Sequence, residues 1–172
     1  QLANLTAIIA NRGWYKTPHL VKNITKKSLK EKYTEKKFTT IDSIHFEKII
    51  EGMFNVTLKG TAQNAKIKGI KVAGKTGTAE NFIKINGKRL QLTDHSIFIG
   101  FAPIENPKIA IAVFIENGYW GTRWAAPIAS LMMENYLNKK IERKYLETYI
   151  VNGNLMDEYK KPYLKSNFKI NE

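Results

Sequence analysis

The sequence predicts an α+β fold in which a narrow antiparallel sheet of about three strands carries helices packed on its faces. Three observations point there. Ser96–Ala102 and Ile109–Ile115 are almost wholly apolar runs separated only by residues 103–108. A connection that short excludes a parallel crossover, so the two strands pair antiparallel, and runs without polar alternation are covered on both sides. Segments with apolar residues at helical spacing precede and follow the strands, which supplies that cover.

Taken in order, Leu2, Leu5 and Ile9, interleaved with Ala3, Ala7 and Ala10, predict an amphipathic helix over residues 1–12. It ends at Asn11-Arg12-Gly13, where the glycine is free to take a positive φ. Trp14–Val21 reads as a short extended segment and gives way to a lysine-rich loop. Asp42 or Ser43 caps a second helix whose Phe46, Ile49, Ile50 and Met53 recur at i, i+3, i+4 and i+7, and Lys59-Gly60-Thr61 breaks it. The first strand is expected over about Ile67–Ala79. Residues 81–94, with Asn86-Gly87 between lysines, form a polar hairpin or loop. A last helix follows Thr122, with Pro127 in its first turn and Ile128, Leu131 and Met132 facing inward. Residues 1–137 read as part of one domain and 138–172 as a charged, tyrosine-bearing extension with one helix around Ile141–Ile150. A three-stranded sheet has an edge without a partner, and the chain opens on Gln1 in mid-pattern. The expectation is therefore a piece of a larger domain.

Composition narrows the function. With 43% hydrophobic and 25% charged residues among 172, the chain is globular and large enough for a real core. No run approaches the roughly 18 apolar residues that cross a bilayer. The absence of cysteine excludes disulfides and thiol chemistry. The net charge is +13, concentrated in residues 16–40 (eight Lys, two Glu) and 66–89 (seven Lys or Arg, one Glu). Such a field favours anionic partners. Lys26, Lys27, Lys30, Lys32, Lys36 and Lys37 nonetheless read as a solvated loop: only Tyr33 and Phe38 punctuate them, no recognition signature is present, and nucleic acid is not expected as a partner. His19, His45 and His95 are too scattered for a metal site, and no cofactor is expected. His95, next to Asp94, reads as a structural hydrogen-bonding group. Trp14, Trp120 and Trp124 read as apolar packing, and Asp157-Glu158 as a solvated charge pair.

The stretch that carries chemistry is Lys71-Val72-Ala73-Gly74-Lys75-Thr76-Gly77-Thr78-Ala79-Glu80. On a strand, Thr76 and Thr78 share one face and Lys75 the other. Two hydroxyls on one face can bind a carboxylate, and Gly77 lets a substrate backbone lie flat against the strand. A lysine beneath can stabilise an anion or hold a hydroxyl reactive, and backbone N–H groups can serve an oxyanion hole. Gly69 to Thr76 also matches the spacing of a phosphate loop, but Ile70-Lys71-Val72-Ala73 is strand-like where that motif needs a turn into a helix.

Four stretches together resemble the transpeptidase domain of class B penicillin-binding proteins, in particular the branch that serves rod-shaped cell elongation. They are Gln1–Leu5 with Ala10-Asn11-Arg12-Gly13 and Pro18-His19-Leu20; Glu51-Gly52-Met53 with Gly60-Thr61-Ala62; Ala73–Glu80; and Asp94-His95-Ser96 with Phe98–Pro103 and Ala112–Gly118. The resemblance covers residues 1–137 and implies the C-terminal portion of a penicillin-binding fold. It also implies a peptidoglycan D,D-transpeptidase: a serine attacks the penultimate D-alanine carbonyl of a stem peptide, D-alanine leaves, and an amine of a neighbouring stem resolves the acyl-enzyme. β-Lactams acylate the same serine. Carried onto matching positions, Lys75 is the lysine of the third motif, a buried cation beside the substrate carboxylate. Thr76 and Thr78 bind that carboxylate, the Thr78 N–H donates to the oxyanion, and Gly77 is the permissive position. The implied partners are peptidoglycan stem peptides, β-lactams and a membrane-anchored elongation machinery. The implied place is the periplasmic, extracytoplasmic face of the membrane, with a single N-terminal anchor outside these residues.

The family's Ser-x-x-Lys and Ser-x-Asn motifs precede the matched region. No Ser-x-Asn occurs here, and the one Ser-x-x-Lys, Ser166-Asn167-Phe168-Lys169, lies after Lys75 and is expected by chance. The nucleophile is thus expected upstream, and the 172 residues alone are expected to be inactive. The alternative is a non-catalytic, penicillin-recognising sensor or binding module of the same fold, with a β-lactamase as a third reading.

Overall fold

The computed structural model describes residues 1–156 apart from Lys26. In chain order its elements are α1 (Leu2–Ala10), β1 (Trp14–Tyr15), α2 (Glu31–Thr34), β2 (Lys37–Phe38), α3 (Ser43–Leu58), β3 (Ala73–Ala79), β4 (Phe82–Ile85), β5 (Lys88–Gln91), β6 (His95–Ala102), β7 (Ile109–Ile115), α4 (Ala125–Asn138) and α5 (Lys144–Val151), with a 3₁₀ turn at Gln63–Ala65. The apolar runs become an antiparallel sheet in the order β3-β6-β7. The apolar β6 takes the centre, as its lack of polar alternation requires.

Strand alternation assigns the faces. Thr76 lies opposite Phe98 and Thr78 opposite Ser96, on the side of α4. There Phe98, Ala102 and Val113 pack on Ala125, Ala126, Ala129 and Met133. Ala73 lies opposite Phe101 and Lys75 opposite Ile99. On that side Ala73 and Phe101 meet Ala10 of α1 and Phe46, Ile50 and Met53 of α3. The Phe98 ring is accommodated by two glycines: a Cβ on Gly74 would come within 2.8 Å of its Cε2, and one on Gly100 within 2.8 Å of its Cε1.

Several expectations shift by a residue or a turn. Strand β3 begins at Ala73 and not near Ile67, because Gly69 takes φ +75° and Ile67 bridges back to Ile70 in a tight turn. Ile67 and Val72 are still buried, so their apolarity serves the core from a turn. Residues 73–79 are a strand and start no helix, which removes the phosphate-loop alternative. In α1 the buried positions are Thr6 and Ala10, while Leu2 and Leu5 are exposed. The helix lies against β6 and β7, and small residues allow that approach; the Thr6 hydroxyl is satisfied by the Leu2 carbonyl at 2.8 Å. In α3 Ile49 is exposed and Thr57 is buried, its hydroxyl donating to the Val72 carbonyl. In α4 Met132 is exposed and the adjacent Met133 is fully buried, a rotation of one position around the helix.

Asn86 and Gly87 take φ +51° and +77° and close β4 onto β5, the two-residue hairpin turn that Asn-Gly favours. The extended segment and the end of the lysine-rich loop meet where β1 pairs antiparallel with β2. After α4 the chain folds back: Arg143 Nε lies 3.1 Å from Glu134 Oε2, and Trp124 stacks on Tyr149 of α5 with ring centroids 5.6 Å apart. Asp157-Glu158 and Ser166–Lys169 lie outside the described residues. Among the described residues no helix is long and apolar enough to cross a membrane.

Candidate active site

Strand β3 is an edge of the sheet, and an open cleft of about 450 Å³ runs along it. Lys75, Thr76, Gly77 and Thr78 form one wall together with Thr61; Trp120, Gly121 and Thr122 form the other. The structure therefore brings together all four residues singled out from the sequence.

Lys75 is exposed, and its Nζ donates to the Thr76 carbonyl at 2.8 Å. Among the described residues no strand lies on the outer side of β3, so these residues by themselves leave Lys75 uncovered there. Among the described residues Lys75 makes no ion pair, so its charge is available to an anion in the cleft.

Thr61 Oγ1 lies 3.0 Å from Thr76 Oγ1. The end of α3 delivers it. Thr57 ties the helix to the Val72 carbonyl just before β3. Gly60 then packs so closely on the last turn that a Cβ would lie 2.8 Å from Val56 Cα, and the Ala62 N–H donates to the Val56 carbonyl at 2.9 Å. The opposite wall is fixed from the sheet. Ser96 Oγ donates to the Trp120 carbonyl at 2.8 Å and accepts from the Ala125 N–H at 3.2 Å. The Asn64 side-chain amide donates to the Thr122 carbonyl. Gly121 rests on β3, where a Cβ would approach the Gly77 carbonyl to 2.8 Å.

Sequence reasoning did not single out Thr61 or the Trp120–Thr122 wall as site residues. Gly60-Thr61-Ala62 stood out as a turn within the family resemblance, and nothing local links Thr61 to Thr76, 15 residues on. Trp120 was expected to pack; it is 56% exposed and lines the cleft. Trp124 does pack, at 5% exposure. His95 behaves structurally as expected: its Nδ1 accepts from the Asn117 N–H at 3.0 Å, while Asp94 accepts from the Asn81 N–H and Gln91. Three hydroxyls, a cation and a glycine strand together suit the carboxylate end of an extended peptide.

Residues 1–134 match the penicillin-binding protein transpeptidase domain family. Among curated proteins the chain is 35% identical over 154 residues to the peptidoglycan D,D-transpeptidase MrdA of Haemophilus influenzae, covering 82% of this chain and 24% of that protein. It is 34% identical over 181 residues to MrdA of Acinetobacter baumannii, covering 94% and 26%. Among solved structures it resembles Pseudomonas aeruginosa PBP2 in complex with WCK 5153, with a TM-score of 0.62 and 32% identity over 83% of this chain and 31% of that one. It also resembles penicillin-binding protein A from M. tuberculosis as a ceftriaxone acyl-enzyme, with a TM-score of 0.63 and 30% identity over 78% and 31%. The chain spans about a quarter of the length of these curated relatives.

Proposed function

The chain belongs to the penicillin-binding protein transpeptidase family, and on that footing we propose that it supplies one wall of the active site of a peptidoglycan D,D-transpeptidase. Residues 1–137 form the C-terminal portion of the transpeptidase domain and 138–172 an extension of it. The serine nucleophile and its base belong to the part of the protein that precedes this region. That serine acylates on the penultimate D-alanine carbonyl, expels D-alanine and is released by an amine of a second stem peptide. β-Lactams enter as mimics of the D-Ala-D-Ala end.

In this reading the terminal carboxylate binds Thr76 and Thr78 under the charge of Lys75. Thr61 adds direction. A hydroxyl has one hydrogen to give, so when Thr61 donates to Thr76 Oγ1, the Thr76 hydrogen is left for the carboxylate and the chain of bonds polarises it. The Thr78 N–H, with the nucleophile's own N–H, faces the oxyanion. The parent protein works at the extracytoplasmic face of the membrane, held by one N-terminal anchor and by the elongation machinery. The 172 residues alone turn nothing over.

The observation that carries this reading is the convergence of Thr61, Thr76, Thr78 and Lys75 on one cleft. The test is acylation of the full-length protein by a fluorescent penicillin. Lys75→Ala slows it on the order of 10²-fold or more, about 3 kcal/mol; Thr78→Val slows it less, because the Thr78 N–H remains. The reverse order refutes the assignment. The isolated chain stays unlabelled, and a denaturation-resistant label at Ser166 would overturn that part.

A further inference from the structure

We propose that the segment following α4 holds the cleft in shape, with Arg143 and Tyr149 as positioning residues for the Trp120–Thr122 wall. Two independent routes lead from this segment to that wall. In the first, Arg143 Nη1 donates to the Asn64 carbonyl at 3.2 Å, and the Asn64 side chain donates in turn to the Thr122 carbonyl. The guanidinium is itself held: Nε meets Glu134 Oε2 at 3.1 Å and Nη1 reaches Ser130 Oγ at 3.2 Å. In the second, Trp124 lies just beyond the wall and is buried, with 5% of the residue exposed. It stacks on Tyr149 at an interplanar angle of 15°, and Gly153 packs so tightly on it that a Cβ would collide with the ring.

The wall is also held by the Ser96 bonds, by the Arg123 N–H donating to the Trp120 carbonyl at 2.9 Å, by the adjoining Tyr119 N–H on the Asp94 carbonyl at 2.9 Å, and by the Ala126 N–H on the Gly121 carbonyl at 2.8 Å. Gly121 packs so closely on the sheet that a Cβ there would collide with the Ile97 carbonyl of β6 and lie 2.8 Å from the Gly77 carbonyl of β3. Arg143 and Tyr149 lie beyond the family match, which ends at residue 134. The effect on ligand binding rests on the reading of the cleft given above; the mechanical coupling does not.

The test uses the full-length protein with Tyr149→Ala, Arg143→Ala, the conservative Tyr149→Phe, and Tyr145→Ala as a control on the exposed side of the same helix. Two readouts are taken: β-lactam acylation kinetics, split into the pre-acylation binding constant and the acylation rate constant, and hydrogen exchange of the amides at 120–124. Tyr149→Ala and Arg143→Ala should weaken pre-acylation binding roughly 3- to 10-fold, with the rate constant changed less than about 2-fold, and should speed exchange at 120–124. Tyr149→Phe should restore both and Tyr145→Ala should change neither. Should Arg143→Ala fail to fold, Tyr149→Ala, which alters a half-exposed ring, decides the matter. Unchanged exchange at 120–124 in folded Tyr149→Ala overturns the proposal, as does an equal effect from Tyr145→Ala. If the wild-type protein is not acylated at all, the transpeptidase reading fails, and the exchange measurement still decides the coupling.

Discussion

Gly121 sits against the backbone of Gly77, so the two sides of the cleft touch where neither carries a side chain. A methyl group on Gly121 would collide with the Ile97 carbonyl of β6 and would lie 2.8 Å from the Gly77 carbonyl and 3.1 Å from its nitrogen. Backbone cannot swing aside as a flexible side chain can. Gly121→Ala should therefore destabilise the domain by about 1–3 kcal/mol and, in the full-length protein, reduce penicillin acylation. Denaturant midpoints and labelling rates check the two halves of the prediction.

Gly52 gives the opposite sign. It lies within α3, exposed, and a Cβ there meets nothing within 4 Å. Gly52→Ala should stabilise by about 0.5–1 kcal/mol through the lower entropy of the unfolded chain and better helix propensity. A midpoint that falls instead would mean that the exposed face of α3 has a partner in the full protein.

The hydroxyl pair is best tested by a double-mutant cycle in the full-length protein. Thr61→Val should slow acylation by roughly 3- to 10-fold, the worth of one hydrogen bond, while Thr61→Ser keeps the donor and should stay near wild type. If Thr61 acts through Thr76, then Thr61→Val adds little once Thr76→Val is present. Additive losses would show that Thr61 acts by another route.

Phe98 is fully buried and fills the space that Gly74 and Gly100 leave open. Phe98→Ala should cost about 3–5 kcal/mol, and Phe98→Leu distinctly less. Thermal denaturation of the two variants gives the comparison.

Much of this architecture was legible in the sequence because it rests on period and connection length. The short 103–108 link and the two apolar runs fix the pairing and the central place of β6, and Asn86-Gly87 fixes a hairpin. Residues Lys75 to Thr78 stood out because alternation on a strand already sorts them. Periodicity proved weaker where helices meet the sheet closely. Leu2, Leu5, Ile49 and Met132 were expected inside, whereas Thr6, Thr57 and Met133 are there, since close approach selects for size and for hydroxyls that bond the backbone. Thr61 and Trp120 do not read as site residues in the sequence for another reason. Their role arises from tertiary proximity to β3, and no spacing along the chain encodes it.

The Glu134–Arg143 pair bears on how this protein can change over generations. Glu134 is 2% exposed, so losing Arg143 alone strands a buried charge at about 3–5 kcal/mol, a large share of the roughly 5–15 kcal/mol that holds a domain together. Replacing both residues by apolar ones of similar volume is close to neutral. Single substitutions are thus disfavoured while paired ones are open. Related sequences should therefore gain or lose the two residues together.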